Sequence, residues 1–130
     1  MIYSTRLTTT TSTIVFTSTT TGAPVGGSVT ATNTAITNII ICNTGTGSLT
    51  DENTDQAKVT INLCNKDVGL TATDTNTIVS NLIVPAGETV FFSDERIVLS
   101  GDATLGTADI IRVTSNAANL ISVTVSALEV

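Results

Sequence analysis

The sequence predicts an all-β protein, and three observations carry that prediction. Threonine fills 28 of the 130 positions, and its β-branched side chain, stiff at χ1, suits an extended, half-exposed chain. Short runs of Ile, Val and Leu recur between clusters of turn residues. No stretch of ten or more residues carries a helical period. Seven to eight short strands at this spacing predict an antiparallel β-sandwich or jelly roll, preceded by an extended N-terminal arm.

Residues 1–34 read as the arm, Thr-rich and poor in core-forming side chains, with one edge strand at Thr13–Thr17 built on Ile14-Val15-Phe16. A Gly-Ala-Pro and Gly-Gly loop follows. An arm with so little to bury gains order by pairing with a sheet edge, its own or another subunit's. Its candidate assembly residues are Ile2, Tyr3, Arg6, Leu7, Ile14 and Phe16.

Residues 35–130 read as the sandwich domain. In Ala35–Asn43, Ile36 and Ile39-Ile40-Ile41 predict a strand buried on both faces. Ala57–Asn65 alternates, with Val59, Ile61 and Leu63 on one face and Lys58, Thr60, Asn62 and Cys64 on the other. Thr77–Val84 follows, closed by Pro85-Ala86-Gly87-Glu88, where Pro fixes φ and Gly accepts positive φ. Thr89–Phe92 and Arg96–Leu99 read as two short strands around Ser93-Asp94-Glu95. Ile110–Ser115 and Leu120–Glu129 read as a hairpin joined by Asn116-Ala117-Ala118-Asn119, with Ile121, Val123, Val125 and Ala127 as the inward row.

Composition narrows the chemistry. Eleven acidic and five basic residues give a net charge of −6, and Arg6, Lys58, Lys66, Arg96 and Arg112 are scattered. Binding to phosphate backbones needs clustered cations, so the sequence argues against nucleic acid as a partner. An anionic membrane surface would repel the chain for the same reason, and no apolar run approaches the ~18–20 residues that span a bilayer. Met1 to Leu7 lacks the features of a secretory signal, which predicts a protein that stays where it is made or leaves by lysis.

Each candidate site has a plainer alternative. The acidic loop Asp51-Glu52-Asn53-Thr54-Asp55 could offer oxygen ligands to calcium, but it lacks EF-hand spacing and reads better as a solvated loop. Asp94-Glu95 beside Arg96 reads as a turn with a local ion pair, and Asp102 and Asp109 bracket a Gly-containing loop. Thr-x-Thr triplets recur at irregular separations, unlike a stacked threonine ladder. Without histidine, no serine triad and no thiol–imidazole metal site can be assembled. Cys42 and Cys64 read as free, partly buried thiols, with a disulfide as the alternative. Only Tyr3, Phe16, Phe91 and Phe92 are aromatic, too few to promise sugar-stacking platforms. No cofactor, no metal and no catalytic residue is expected.

One family likeness emerges. The stretch Asn76–Asp102 (NTIVSNLIVPAGETVFFSDERIVLSGD), the ending Ile110–Val130 (IIRVTSNAANLISVTVSALEV) and the start Ile2–Leu7 (IYSTRL) resemble small structural proteins of tailed bacteriophage virions, including those of marine and cyanobacterial phages. The shared features are a strand, a Pro-Ala-Gly-Glu-Thr turn, an L-x-x-G-D loop and a terminal S-V-T-V-S strand. The likeness covers about half the chain, and its motifs mark a fold and carry no active site. It implies a β-sandwich that is not an enzyme, sits on the virion exterior, and contacts the major capsid protein or neck and tail proteins. It further implies a homo-oligomer, a trimer being one form. A capsid decoration (cement) protein is the favoured role, a neck, tail or fibre-attachment accessory the second, and a glycan-binding adhesin module the third.

Overall fold

A computed structural model of the chain describes residues 2–18, 33–47, 54–101 and 108–130, the side chains of 94–96 excepted. The expected Gly-rich loop, the carboxylates of Asp51 and Glu52, and Asp102 lie outside the described residues. Eight strands form: β1 (Ile2–Arg6), β2 (Thr13–Thr17), β3 (Thr34–Asn43), β4 (Ala57–Cys64), β5 (Thr77–Val84), β6 (Thr89–Leu99), β7 (Ile110–Ser115) and β8 (Ile121–Glu129). A single 3-10 turn, Asp74–Asn76, precedes β5.

The strands make two four-stranded antiparallel sheets, sheet A in the order β1-β8-β3-β6 and sheet B in the order β2-β7-β4-β5. The pairings have a simple logic. The pairs β1·β8, β2·β7, β3·β6 and β4·β5 are those of a chain folded in half as one long hairpin. The additional pairs β3·β8 and β4·β7 arise when that hairpin is rolled up. This is the jelly roll, an eight-stranded double-sheet solution to covering an apolar face.

Between the sheets lies one core. Phe16, Leu7, Ile39, Ile41, Ile61, Leu99, Ile111 and Ile121 are its largest fully buried side chains. Burying each such residue contributes on the order of 1.5–3 kcal/mol before chain entropy is charged against it. The inward row of β8 is Ile121, Val123, Val125 and Ala127, as its alternation predicts. In β4, Val59 and Ile61 face the core.

Four expectations are corrected by the pairing. First, no arm stands apart over the described part of residues 1–34. β1 is a strand of sheet A, β2 a strand of sheet B, and Leu7, Val15 and Phe16 are core. A bulge between Ile14 and Phe16 breaks the alternation, so Val15 and Phe16 are both buried although adjacent. Second, β6 is one strand of 11 residues, not two. Third, β7 and β8 belong to different sheets, so residues 116–120 form a link across the sandwich and not a hairpin turn. Asn119, at φ 62°, makes the sharp change of direction, and its N–H donates to the Leu7 carbonyl at 2.8 Å. Fourth, only one face of β3 is covered. Ile36, Ile39 and Ile41 are buried, while Ile40 on the other face is half-exposed. The three-residue step from Ile36 to Ile39 reflects a bulge at Thr37, whose hydroxyl donates to the Ser126 carbonyl at 3.0 Å.

The Pro85–Glu88 turn forms as its residues predict. Gly87 takes φ 76°, a region that would strain an L side chain, and Glu88 N–H closes the turn on the Pro85 carbonyl at 3.1 Å. The turn is stitched to β3 through Asn43. Gly87 N–H donates to the Asn43 carbonyl at 3.0 Å, and Asn43 N–H donates to the Glu88 carbonyl at 2.9 Å. The buried Asn43 side-chain amide donates to the carbonyls of Asp55 and Val84, at 2.7 and 2.9 Å.

Candidate assembly surface

A sandwich offers two outer faces, and here they differ in chemistry. The outer face of sheet B is partly roofed and mixes polar residues with the exposed Ile78 and Ile83 of β5. Lys58, Thr60, Asn62 and Cys64 alternate outward on β4, beside Arg112 and Thr114 on β7. The segment 65–76 crosses over it and is fastened from below. The Asn62 amide reaches the Thr73 carbonyl (3.0 Å), Asn76 Oδ1 (2.9 Å) and Thr77 Oγ1 (2.9 Å). Arg112 donates from Nε to the Leu70 carbonyl at 2.7 Å and from Nη1 to the Ser12 carbonyl at 3.3 Å.

This roof leaves a half-open groove of about 660 Å³ whose lining includes Val68, Thr71, Thr73, Thr75, Asn76 and Ile78. Among the described residues no carboxylate, amine or thiol lines it. Two of its hydroxyls, on Thr73 and Thr75, bond each other at 2.9 Å, and that of Thr77 donates to the Thr73 carbonyl at 2.9 Å.

The outer face of sheet A is open. Its register places Phe91 beside Ile40, and Val98 and Leu128 on either side of Ala35, with Ile2 at the β1 edge. Phe91, Val98, Leu128 and Ile2 are 63%, 62%, 60% and 74% exposed, so four of the eight large exposed apolar side chains among the described residues share this face. The rest of the face is mostly small hydroxyl residues: Ser4, Thr89, Ser93, Ser122, Thr124 and Ser126. Ser4 and Thr124 bond each other across β1 and β8 at 2.8 Å. Arg6 is its one charge among the described side chains, and its guanidinium donates to the Asn119 carbonyl.

The six candidate assembly residues do not act as a unit. Leu7 and Phe16 are fully buried in the core, and Tyr3 packs against it. Ile14 lies on sheet B opposite Arg112. Only Ile2 and Arg6 reach the open face. The residues that dominate this face, Ile40, Phe91, Val98 and Leu128, were not among the candidates. For the first three the signal was present as apolar triplets, Ile39-Ile40-Ile41, Val90-Phe91-Phe92 and Ile97-Val98-Leu99. A triplet puts apolar side chains on both faces of a strand, the pattern of a sheet covered on both sides.

The cysteines are both free. Cys42 is half-exposed on the open face of sheet A, in register with Thr89 and Ser122. Cys64 is buried on the far side of the sandwich under the 65–76 roof, where Asn76 Nδ2 lies 3.6 Å from its sulfur. Burial pushes the Cys64 thiol above the usual range, and the nearby Arg112 charge offsets part of that rise. Both its burial and its protonated state slow attack on reagents. Iodoacetamide on the folded protein near neutral pH is therefore expected to label Cys42 well ahead of Cys64, with both equal in urea. Peptide mapping giving Cys64 first would contradict this placement.

Among the described residues no group of three or more His, Cys, Asp or Glu side chains is arranged to hold a metal ion. No helix among them is long and apolar enough to cross a membrane. The fold and its exposed face thus define a jelly-roll β-sandwich with one sheet face that is open and weakly charged among the described side chains. No family model matches the chain, and no curated protein matches it.

Proposed function

We propose that this protein is a non-enzymatic structural component of a tailed-bacteriophage virion, a capsid decoration protein that docks on and bridges capsid subunits. The observation that carries the reading is the outer face of sheet A, where Phe91, Val98, Leu128 and Ile2 are exposed on a rigid sheet. Apolar patches of this kind on an ordered scaffold mark contact surfaces. The jelly roll is compatible with the role, since the architecture recurs in viral capsid and lectin domains, although a fold alone does not name a function. The resemblance of the 76–102 and 110–130 stretches to virion structural proteins points the same way, and the net charge of −6 suits an exterior surface better than packaged DNA.

A neck, tail or fibre-attachment accessory would use the same surface, and location separates the two. Immunogold labelling of purified particles of the encoding phage is expected to decorate the head. Label confined to the neck or tail would replace decoration with the accessory role. Particles free of the protein by mass spectrometry would overturn the virion reading.

A further inference from the structure

We propose that the open face of sheet A is the contact between two copies of this chain, packed sheet to sheet. The proposal takes the assembly reading of this face as its starting point and names the occupant. Three features select a second copy. The triplets around Ile40, Phe91 and Val98 give β3 and β6 the composition of strands covered on both sides, yet the described residues cover only one. A second copy's sheet supplies the missing layer.

Charge narrows what that layer is. The molecule carries −6, so two copies repel through most orientations. Of the described carboxylates, Asp55, Asp67 and Asp74 belong to the sheet B side, Asp109 is buried, and two sit at strand ends of sheet A, Glu88 in the turn before β6 and Glu129 at the end of β8. A basic partner finds described carboxylates only at the strand ends of this face, none in its middle. A second copy of the same weakly charged face buries little charge and avoids the repulsion.

Area is sufficient. Four strands at ~4.8 Å spacing and about eight residues at ~3.3 Å cover roughly 500 Å² in projection, so two copies bury about 1,000 Å², the lower bound for a specific interface. Sheets packed this way align within about 30°. A two-fold axis across the strands sets the β6–β3 half of one copy on the same half of the other. Phe91 and Ile40 then meet the second copy's apolar half, with the hydroxyl residues of β8 and β1 facing their own kind. The pair leaves its two sheet B faces pointing in opposite directions, which is a geometry for bridging.

The test uses the isolated full-length chain. Sedimentation equilibrium is expected to give a dimer at tens of micromolar. Phe91→Asp is expected to weaken it by about tenfold or more, because it replaces an apolar contact side chain in each copy with a charge that has no partner. Ile83→Asp, on the outer side of sheet B, should leave the dimer intact, and melting curves check that both variants stay folded. Cys42, which lies on the face, should alkylate more slowly as wild-type concentration rises, with no such dependence in Phe91→Asp. A monomer at all concentrations, a stoichiometry other than two, or a dimer that Phe91→Asp leaves intact would overturn the proposal. Because this readout needs no particle, its failure is distinct from failure of the virion reading.

Discussion

Replacing Phe16 with alanine is expected to destabilise the protein by about 3–5 kcal/mol, the range for deleting a buried aromatic ring. Phe16 is fully buried and sits just after the β2 bulge, packed among residues of both sheets. Few groups nearby can move to fill the space, since interiors are close-packed and relax only partly. Against a total stability of 5–15 kcal/mol typical of single domains, such a loss leaves the fold marginal. Urea denaturation measures it directly. A loss under about 1 kcal/mol would return Phe16 to a peripheral arm.

The same logic reverses the outcome expected for removing the N-terminus. A dispensable arm could be deleted through Thr13 with the domain intact. Here that deletion strips β1 from β8 and removes Leu7 from the core, so it should unfold or aggregate the protein instead of merely detaching it from a partner.

The second large effect belongs to Asp109. Its carboxylate is 6% exposed and accepts two backbone N–H bonds, Lys66 to Oδ1 and Ser100 to Oδ2, both at 2.8 Å. Its own backbone receives Ser18 N–H and donates to the Ser100 carbonyl, both at 3.0 Å. One residue thereby clips together the chain following β2, β4 and β6. Asp109→Ala removes two charge-assisted bonds and strands two donors, at a cost of about 3 kcal/mol. In a domain of this size that lowers Tm by roughly 10 °C. Asp109→Asn keeps one acceptor but turns an NH₂ toward the second donor, so its loss should fall between wild type and alanine. Equal losses for Asn and Ala would show that the charge, not the acceptor geometry, matters.

How much of this was legible in the sequence depends on the range of the interaction involved. Strand identity is local, and the period-two rows of β4 and β8 declared themselves. Sheet membership is not local. Asn116-Ala117-Ala118-Asn119 is short and turn-like, and a link of that length can close a hairpin or cross between sheets. Only the pairing of β7 with β4 and of β8 with β3 decides which. The polar Ser93-Asp94-Glu95 interrupts an apolar pattern without interrupting the strand. β1 was missed because IYSTR has little to bury; its place comes from hydrogen bonding to β8 and from Leu7 immediately after it.

The open face illustrates the same limit. Ile39-Ile40-Ile41 suggested burial on both sides of β3, and the described residues cover one. The threonine richness is likewise divided: Thr60 and Thr124 are half-exposed on outer faces, whereas Thr17 and Thr34 are buried. The Thr34 hydroxyl is satisfied by the Ser18 hydroxyl.

A cryo-EM reconstruction of the intact particle, resolved to side chains, tests the claim of assembly through sheet A most directly. The account predicts paired eight-stranded sandwiches on the head exterior, with Phe91, Val98 and Leu128 buried between the two copies. Sandwiches whose Phe91 and Val98 face solvent in the assembled particle would contradict it.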